Sequence, residues 1–320
     1  MHVFFYEAFE EEEAALRHYL PAGIEAGFTW KTIQEYGEST PPAPIISIRT
    51  QSQIPDEWAH GLTAILSRST GYDHLTAYRK RNGAPAHLGF LPLYCHRAVA
   101  EQALLLWLAL FRKLPQQIQQ FRTFHRDGIT GKETTAKTLL VVGVGNIGGE
   151  VVDIGKGLGM KVLCVDLVKK LPGETYVTAE EGMPNADVIV CAMNLTEENP
   201  GYFTWELLQK AKPGAVFVNI SRGELSPAVD LLRALEAGIL GGVGIDVYNH
   251  EKELAIALRE GRESADPEVQ ALLAMSKLPN VICTPHNAFN SEEGVERKSE
   301  QSIQQVVHLL DTGKFIWSAP

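Results

Sequence analysis

From residue 138 onward, short apolar runs rich in β-branched residues alternate with stretches of helical periodicity. The runs are Leu139 to Val144, Lys161 to Val165, Asp187 to Ala192, Ala215 to Ile220, Gly242 to Val247 and Asn280 to Thr284. Strand-like segments separated by helices are the mark of repeated βαβ units, and so of a parallel sheet. Within each run hydrophobic and polar positions do not alternate, as expected where helices cover both faces of the sheet. The pattern predicts a Rossmann-type, doubly wound α/β sheet.

Before residue 96 the pattern is similar but weaker. Strand-like Val3 to Tyr6, Ile45 to Ile48 and Thr63 to Ser67 are separated by helical stretches and by the turn Pro41-Pro42-Ala43-Pro44, which predicts a smaller, flavodoxin-like α/β domain. One long helix, about Ala98 to Phe121, leads into the second sheet, and an amphipathic helix, about Ser291 to Thr312, closes the chain. If that last helix returns to the first unit, the small domain is discontinuous. The expected division is residues 1–95 with 287–320 as a substrate-binding domain, and 96–286 as a dinucleotide-binding domain.

Composition narrows the function. A length of 320 residues with 45% hydrophobic and 21% charged residues supplies two cores. The net charge of −10 argues against a nucleic-acid partner, since neutralising phosphates requires a basic face. The four cysteines, Cys95, Cys164, Cys191 and Cys283, are widely spaced and mostly within apolar runs, which reads as buried small hydrophobes in a reducing cytoplasm, with neither disulfides nor a metal site. The start of the chain lacks the features of a signal peptide. The longest apolar run, Ala103 to Phe111, is about half of the ~20 residues needed to span a bilayer, so no membrane role is expected.

The strand Leu139 to Val142 flows into Gly143-Val144-Gly145-Asn146-Ile147-Gly148 and then into a helix-compatible stretch. In this setting the first glycine permits a tight turn, the second lets the backbone approach a pyrophosphate, and the third lets helix and strand pack closely. The next strand ends at Asp166, roughly 20 residues further on, where a carboxylate can accept from the adenosine ribose hydroxyls. This favours NAD over NADP, although Lys169 and Lys170 stand close enough to hold a 2′-phosphate. The plain alternative is that the glycines are turn chemistry alone.

Ligands of doubly wound sheets bind outside the carboxyl ends of the strands. Here those ends carry the glycine loop, Asp166, Asn194 with Thr196, Arg222, Asp246 with Glu251 beyond it, and His286. Reducing a 2-keto acid needs a cation for the carboxylate and a proton donor for the developing alkoxide. The planar fork of Arg222 suits the first task. The imidazole of His286, of a type that titrates near neutral pH, suits the second, and Glu251 can bond its other nitrogen and fix the ring. Each residue alone reads as an ordinary ion pair or structural group, and their placement after consecutive strands is what speaks for chemistry. Arg49, after the strand Ile45 to Ile48, reads first as a strand-end ion pair and second as a holder of a further anionic group on the substrate.

Several motifs together resemble the D-isomer-specific 2-hydroxyacid dehydrogenases over almost the whole chain. They are Arg68-Ser69-Thr70-Gly71-Tyr72-Asp73-His74-Leu75, Ala98-Val99-Ala100-Glu101, the glycine loop with Asp166, Asn219-Ile220-Ser221-Arg222-Gly223-Glu224, Gly244-Ile245-Asp246-Val247-Tyr248 leading to Glu251, and Thr284-Pro285-His286-Asn287-Ala288-Phe289. The resemblance implies NAD-dependent interconversion of a 2-keto acid and a D-2-hydroxy acid. It implies that Arg222 binds substrate, that His286 is the acid/base oriented by Glu251, and that backbone amides around Thr70 and Gly71 hold the substrate carboxylate. Tyr94 and Phe289 resemble the aromatic pocket of the D-lactate dehydrogenase branch, and Asp246 the family's aspartate beside the nicotinamide. A homodimer joined through the large domain is also implied. Departures from the family pattern are Thr76, Asn194-Leu195-Thr196 and Lys252 after Glu251, none within the trio. Two other readings stay open: an NAD-sensing corepressor-like binding protein, and a formate- or phosphite-type relative.

Overall fold

A computed structural model describes all 320 residues, which divide into two units: Met1–Cys95 with Asn290–Pro320, and His96–Phe289. The second crossing falls three residues later than the expected 286/287 boundary. Asn287 and Ala288 stay with the second unit because their backbone N–H groups are bound by Asp246.

In the first unit β1 (Val3–Phe5), β2 (Ala26–Phe28), β3 (Ile45–Ile48), β4 (Ala64–Ser67) and β5 (His87–Gly89) form a parallel sheet in the order β2-β1-β3-β4-β5. This is the flavodoxin order. Strands β3 and β4 are buried at every position, so no alternation is visible in them. Strands β2 and β5, three residues each, were not expected. The chain end seals the β5 edge, where the Ala319 N–H donates to Leu88 O at 2.8 Å and Ser318 bridges Gly89.

A charged cluster lies inside this unit. Arg68 Nε is 2.7 Å from Glu12 Oε1 and Lys298 Nζ is 3.0 Å from Glu12 Oε2, with all three residues almost wholly inaccessible. Arg68 also donates to Ser47 Oγ at 3.0 Å and to Tyr6 O at 2.5 Å. Burial pushes the Glu12 carboxyl up, but Arg68, Lys298 and Arg49 outweigh it and hold it at about 2. Burial lowers Lys298 to about 8, against the opposing pull of Glu12. The cluster ties the helices Glu10–Tyr19 and Glu292–Thr312 to the end of β4.

In the second unit β6 (Thr138–Val142), β7 (Lys161–Val165), β8 (Val188–Cys191), β9 (Ala215–Asn219), β10 (Leu240–Ile245) and β11 (Val281–Cys283) form a parallel sheet ordered β11-β10-β9-β8-β6-β7. Strand order reverses on either side of β6, which makes its carboxyl end the switch point where a nucleotide is bound in such sheets. Beyond β7 a single parallel bridge, Cys164 to Tyr176, stands where a further edge strand would lie.

The expected long helix is two, His96–Phe111 and Leu114–Phe121. Pro115 has no N–H to donate and is tolerated only in a helix's first turn, so a new helix must begin at that point. Lys113, at φ +51°, makes the break. The cysteines are all free, and Cys283, expected to be buried, is exposed. No helix is long and apolar enough to cross a membrane.

Candidate active site

The glycine loop leaves β6 with Gly143 at φ +91°, where a Cβ would lie 2.4 Å from the Met193 backbone. A Cβ on Gly148 would lie 1.9 Å from Gly143 O, so strand and helix touch here through backbone alone. Around Gly145 there is open space. Gly145 caps the helix Asn146–Gly157 without any side-chain bond to its N–H groups, and Asn146 and Ile147 open its first turn. Those unsatisfied donors and the positive end of the helix form a site for a pyrophosphate. Asp166 closes the loop from the end of β7, accepting from Val144 N at 2.7 Å and from Val168 N at 3.0 Å. Its oxygens have lone pairs left for ribose hydroxyls. The residues therefore fit a dinucleotide. After β8, Asn194 and Thr196 lie in a loop held by Asn199, whose side chain accepts from Thr196 N at 2.8 Å and donates to Asn194 O at 2.8 Å.

Arg222, Glu251 and His286 follow three neighbouring parallel strands, β9, β10 and β11. Their loops meet closely: a Cβ on Gly223, beside Arg222, would fall 1.9 Å from the carbonyl carbon of Tyr248 and 2.1 Å from Asn249 N. Only glycine allows that approach. His286 Nδ1 lies 2.8 Å from Glu251 Oε2, and both side chains are partly exposed, at 25% and 34%. The imidazole thus has its acidic partner as expected. The Arg222 backbone oxygen accepts from Asn219 Nδ2 at 2.8 Å, and its Nη1 donates to Ser221 O at 2.8 Å.

His286 sits at φ +53°, a left-handed conformation that costs a residue with a side chain about 1–3 kcal/mol unless its surroundings enforce it. Asp246 supplies part of that enforcement. Fully buried, it accepts from Thr284 Oγ1 at 2.5 Å, Asn287 N at 3.0 Å and Ala288 N at 2.8 Å. Burial raises its pKa above the ordinary value despite these donors. Asp246, expected as a neighbour of the nicotinamide, spends these bonds on the segment that carries His286 and leads to Phe289.

The remaining expected site residues belong to the first unit. Thr70 and Gly71 follow β4 in a turn braced by Ser67 Oγ to Ser69 Oγ at 2.6 Å, Ser69 Oγ to Gly71 O at 2.7 Å and Ser67 Oγ to His74 Nε2 at 2.9 Å. Thr70 Oγ1 lies 3.4 Å from the Cys95 thiol, next to the buried Tyr94. Tyr94 O accepts from Arg297 Nε at 2.9 Å. The Arg49 N–H donates to Glu7 Oε2 at 2.9 Å, and its guanidinium lies 5.4 Å from the centre of the Phe9 ring.

Known proteins agree with this architecture. The family described as D-isomer specific 2-hydroxyacid dehydrogenase, NAD binding domain, matches residues 104–288. A D-2-hydroxyacid dehydrogenase (NAD+) of Lacticaseibacillus paracasei is 31% identical over 80% of this chain and 78% of its own length. A D-specific alpha-keto acid dehydrogenase of Enterococcus faecium is 29% identical over 92% of this chain and 93% of its own. The crystal structure of D-lactate dehydrogenase from Aquifex aeolicus, complexed with NAD and lactic acid, superposes with a TM-score of 0.83, at 26% identity and 98% coverage of both chains. The chain belongs to the D-isomer-specific 2-hydroxyacid dehydrogenases, enzymes that depend on NAD.

Proposed function

We propose that this enzyme interconverts a 2-keto acid and the corresponding D-2-hydroxy acid, with His286 as acid/base, Glu251 as its orienting partner and Arg222 as carboxylate anchor. The observation that carries the reading is the 2.8 Å bond between His286 Nδ1 and Glu251. A carboxylate only accepts, so Nδ1 keeps its proton and Nε2 is the nitrogen left to exchange one with substrate. NADH, when bound, supplies a hydride to the keto carbon. As the carbonyl π bond breaks, the Nε2 proton of the imidazolium passes to the oxygen and a neutral imidazole remains; oxidation runs the same transfer backwards. Arg222 grips the carboxylate through two parallel N–H donors, which orients the keto carbon. Thr70, Gly71, Tyr94 and Phe289 serve as further substrate contacts on the strength of the family resemblance, supported in the first unit by the braced turn at 67–71.

A panel of 2-keto acids with NADH, followed at the nicotinamide absorbance, tests the reading. Reduction of at least one to its D-hydroxy acid is expected. Oxidation of formate or phosphite with no keto acid reduced would replace it, as would NAD binding without any turnover.

The two bonds from Asp166 to the loop give it a double task. Asp166→Ala should raise the KM for NADH by about tenfold, the scale of one lost charge-assisted bond, with a smaller change for NADPH. Equal losses for both coenzymes would assign the carboxylate to the loop alone.

The helix Leu114–Phe121 buries none of its residues, and Leu114, Ile118, Phe121 and the following Phe124 are all exposed. With Leu105 they form the apolar surface that a second copy of the chain covers in the homodimer we propose. Sedimentation velocity should report a dimer, and Ile118→Asp with Phe121→Asp a monomer; an unshifted dimer would move the interface elsewhere. Four free thiols, one exposed, suit a reducing, cytoplasmic setting.

A further inference from the structure

We propose that the hydroxyls of Tyr248 and Thr284, backed by the Gln102 amide, are positioning residues for the acid/base: they hold segment 284–288 on the backbone path that delivers the His286 imidazole to Glu251. This rests on the reading of His286 given above and assigns the residues that make it work.

The bonds have a defined direction. Tyr248 Oη lies 2.6 Å from Thr284 O and 3.2 Å from Ile245 O. A phenol has one proton to donate, and the contact to Thr284 O is clearly the shorter of the two. The phenol proton therefore goes to Thr284 O. Burial raises the Tyr248 pKa, so the donor persists across the working range. Thr284 O also accepts from His286 N at 2.9 Å, closing a three-residue turn with Pro285 at its corner directly before the left-handed His286. One carbonyl thus links the phenol to the strained residue.

The Thr284 side chain forms a second line. Its Oγ1 donates to Asp246 Oδ1 at 2.5 Å and so is free to accept from Gln102 Nε2 at 3.2 Å, giving a chain from amide to hydroxyl to carboxylate. Asp246 is itself anchored, with its N–H donating to Asn219 O on β9 at 3.1 Å, and it holds Asn287 and Ala288 by their backbone. Gln102 brings in the helix His96–Phe111 as a rigid support. Residues on both sides of His286 are therefore held while its own side chain bonds only towards Glu251 among these groups. The Tyr248 backbone also abuts Gly223, so the same short segment touches the loop of Arg222. A left-handed histidine held this way keeps its ring within bonding distance of its acid; a relaxed loop would not.

The test uses the full-length enzyme with NADH and the best 2-keto acid. Tyr248→Phe and Thr284→Val, both near-isosteric, should each lower kcat about tenfold, the size expected for one lost bond at a positioned group, with KM for the keto acid changed about twofold or less. Thr284→Ser, which keeps the hydroxyl, should restore most of the rate. The pH limb of kcat that reports His286 should move by about half a unit in Tyr248→Phe, a change that a purely structural loss would not produce. In a His286→Ala background the further loss from Tyr248→Phe should vanish, because the two act as one unit. A Tyr248→Phe enzyme with normal kcat and pH profile, or a loss fully additive with His286→Ala, overturns the positioning role and leaves the acid/base reading standing. Unchanged turnover in His286→Ala itself overturns both.

Discussion

His286→Ala should lower 2-keto acid turnover by about 10²–10⁴-fold, the usual share of a positioned acid/base, while NADH still binds. The proposed cofactor site comprises the loop after β6, the helix Asn146–Gly157 and Asp166, to none of which the imidazole is hydrogen-bonded. Substrate should bind with little change, because Arg222 carries the carboxylate in the proposed mechanism. The loss therefore falls on kcat, as expected for an interaction made in the transition state. Alanine is poorly suited to φ +53°, so His286→Asn provides a control that tolerates the left-handed backbone yet cannot transfer the proton. Both variants should be equally inactive and should retain NADH binding by fluorescence titration. Near-normal kcat in either would remove His286 from the chemistry.

Glu12→Gln should destabilise the first unit by about 3–5 kcal/mol, the cost of leaving a buried charge without its counterion. Arg68 and Lys298 both rely on the one carboxylate, and each is almost wholly inaccessible. With the amide in its place two cations face each other across a neutral group. The carboxyl is held at about 2 in the folded chain against an ordinary 4.5, so its contribution is complete above pH 4.5 and is lost as pH falls towards 2. Urea unfolding followed at several pH values should therefore show a gap between wild type and variant that is widest near neutrality and narrows across that acid window. A gap of under about 1 kcal/mol at neutral pH would mean that the cluster is no stronger than a surface pair.

The sequence disclosed some features better than others, for physical reasons. Strands β6 to β10 were legible because a strand buried on both faces must be a continuous apolar run, and four or more such residues in a row stand out. Strands β2 and β5 left too short a trace, at three residues each. The break before Leu114 was signalled by Pro115, but apolar periodicity on both sides masked it. Arg222, Glu251 and His286 could be singled out as candidates because position after consecutive strands is a local property. The clamp by Asp246 could not, since it depends on which strand lies beside β10. Glu12 sits in the run Glu10 to Glu13, which reads as solvated helix surface, and Lys298 lies on an otherwise amphipathic helix. Ion pairs between such distant positions leave no periodic mark; the one hint was a motif arginine, Arg68, directly after the apolar strand Ala64–Ser67.

Because the first unit is completed by Asn290–Pro320, it cannot be finished when its own first 95 residues leave the ribosome. At that stage Glu12 and Arg68 wait for Lys298, the β5 edge waits for Ser318 and Ala319, and a Phe315 ring that packs on Gly89 has yet to be made. The contiguous second unit, by contrast, has all of its strands before the closing helix is translated. Vectorial synthesis therefore favours a nucleotide-binding unit that matures first, with the first unit an open, aggregation-prone sheet until residues 290–320 have been made.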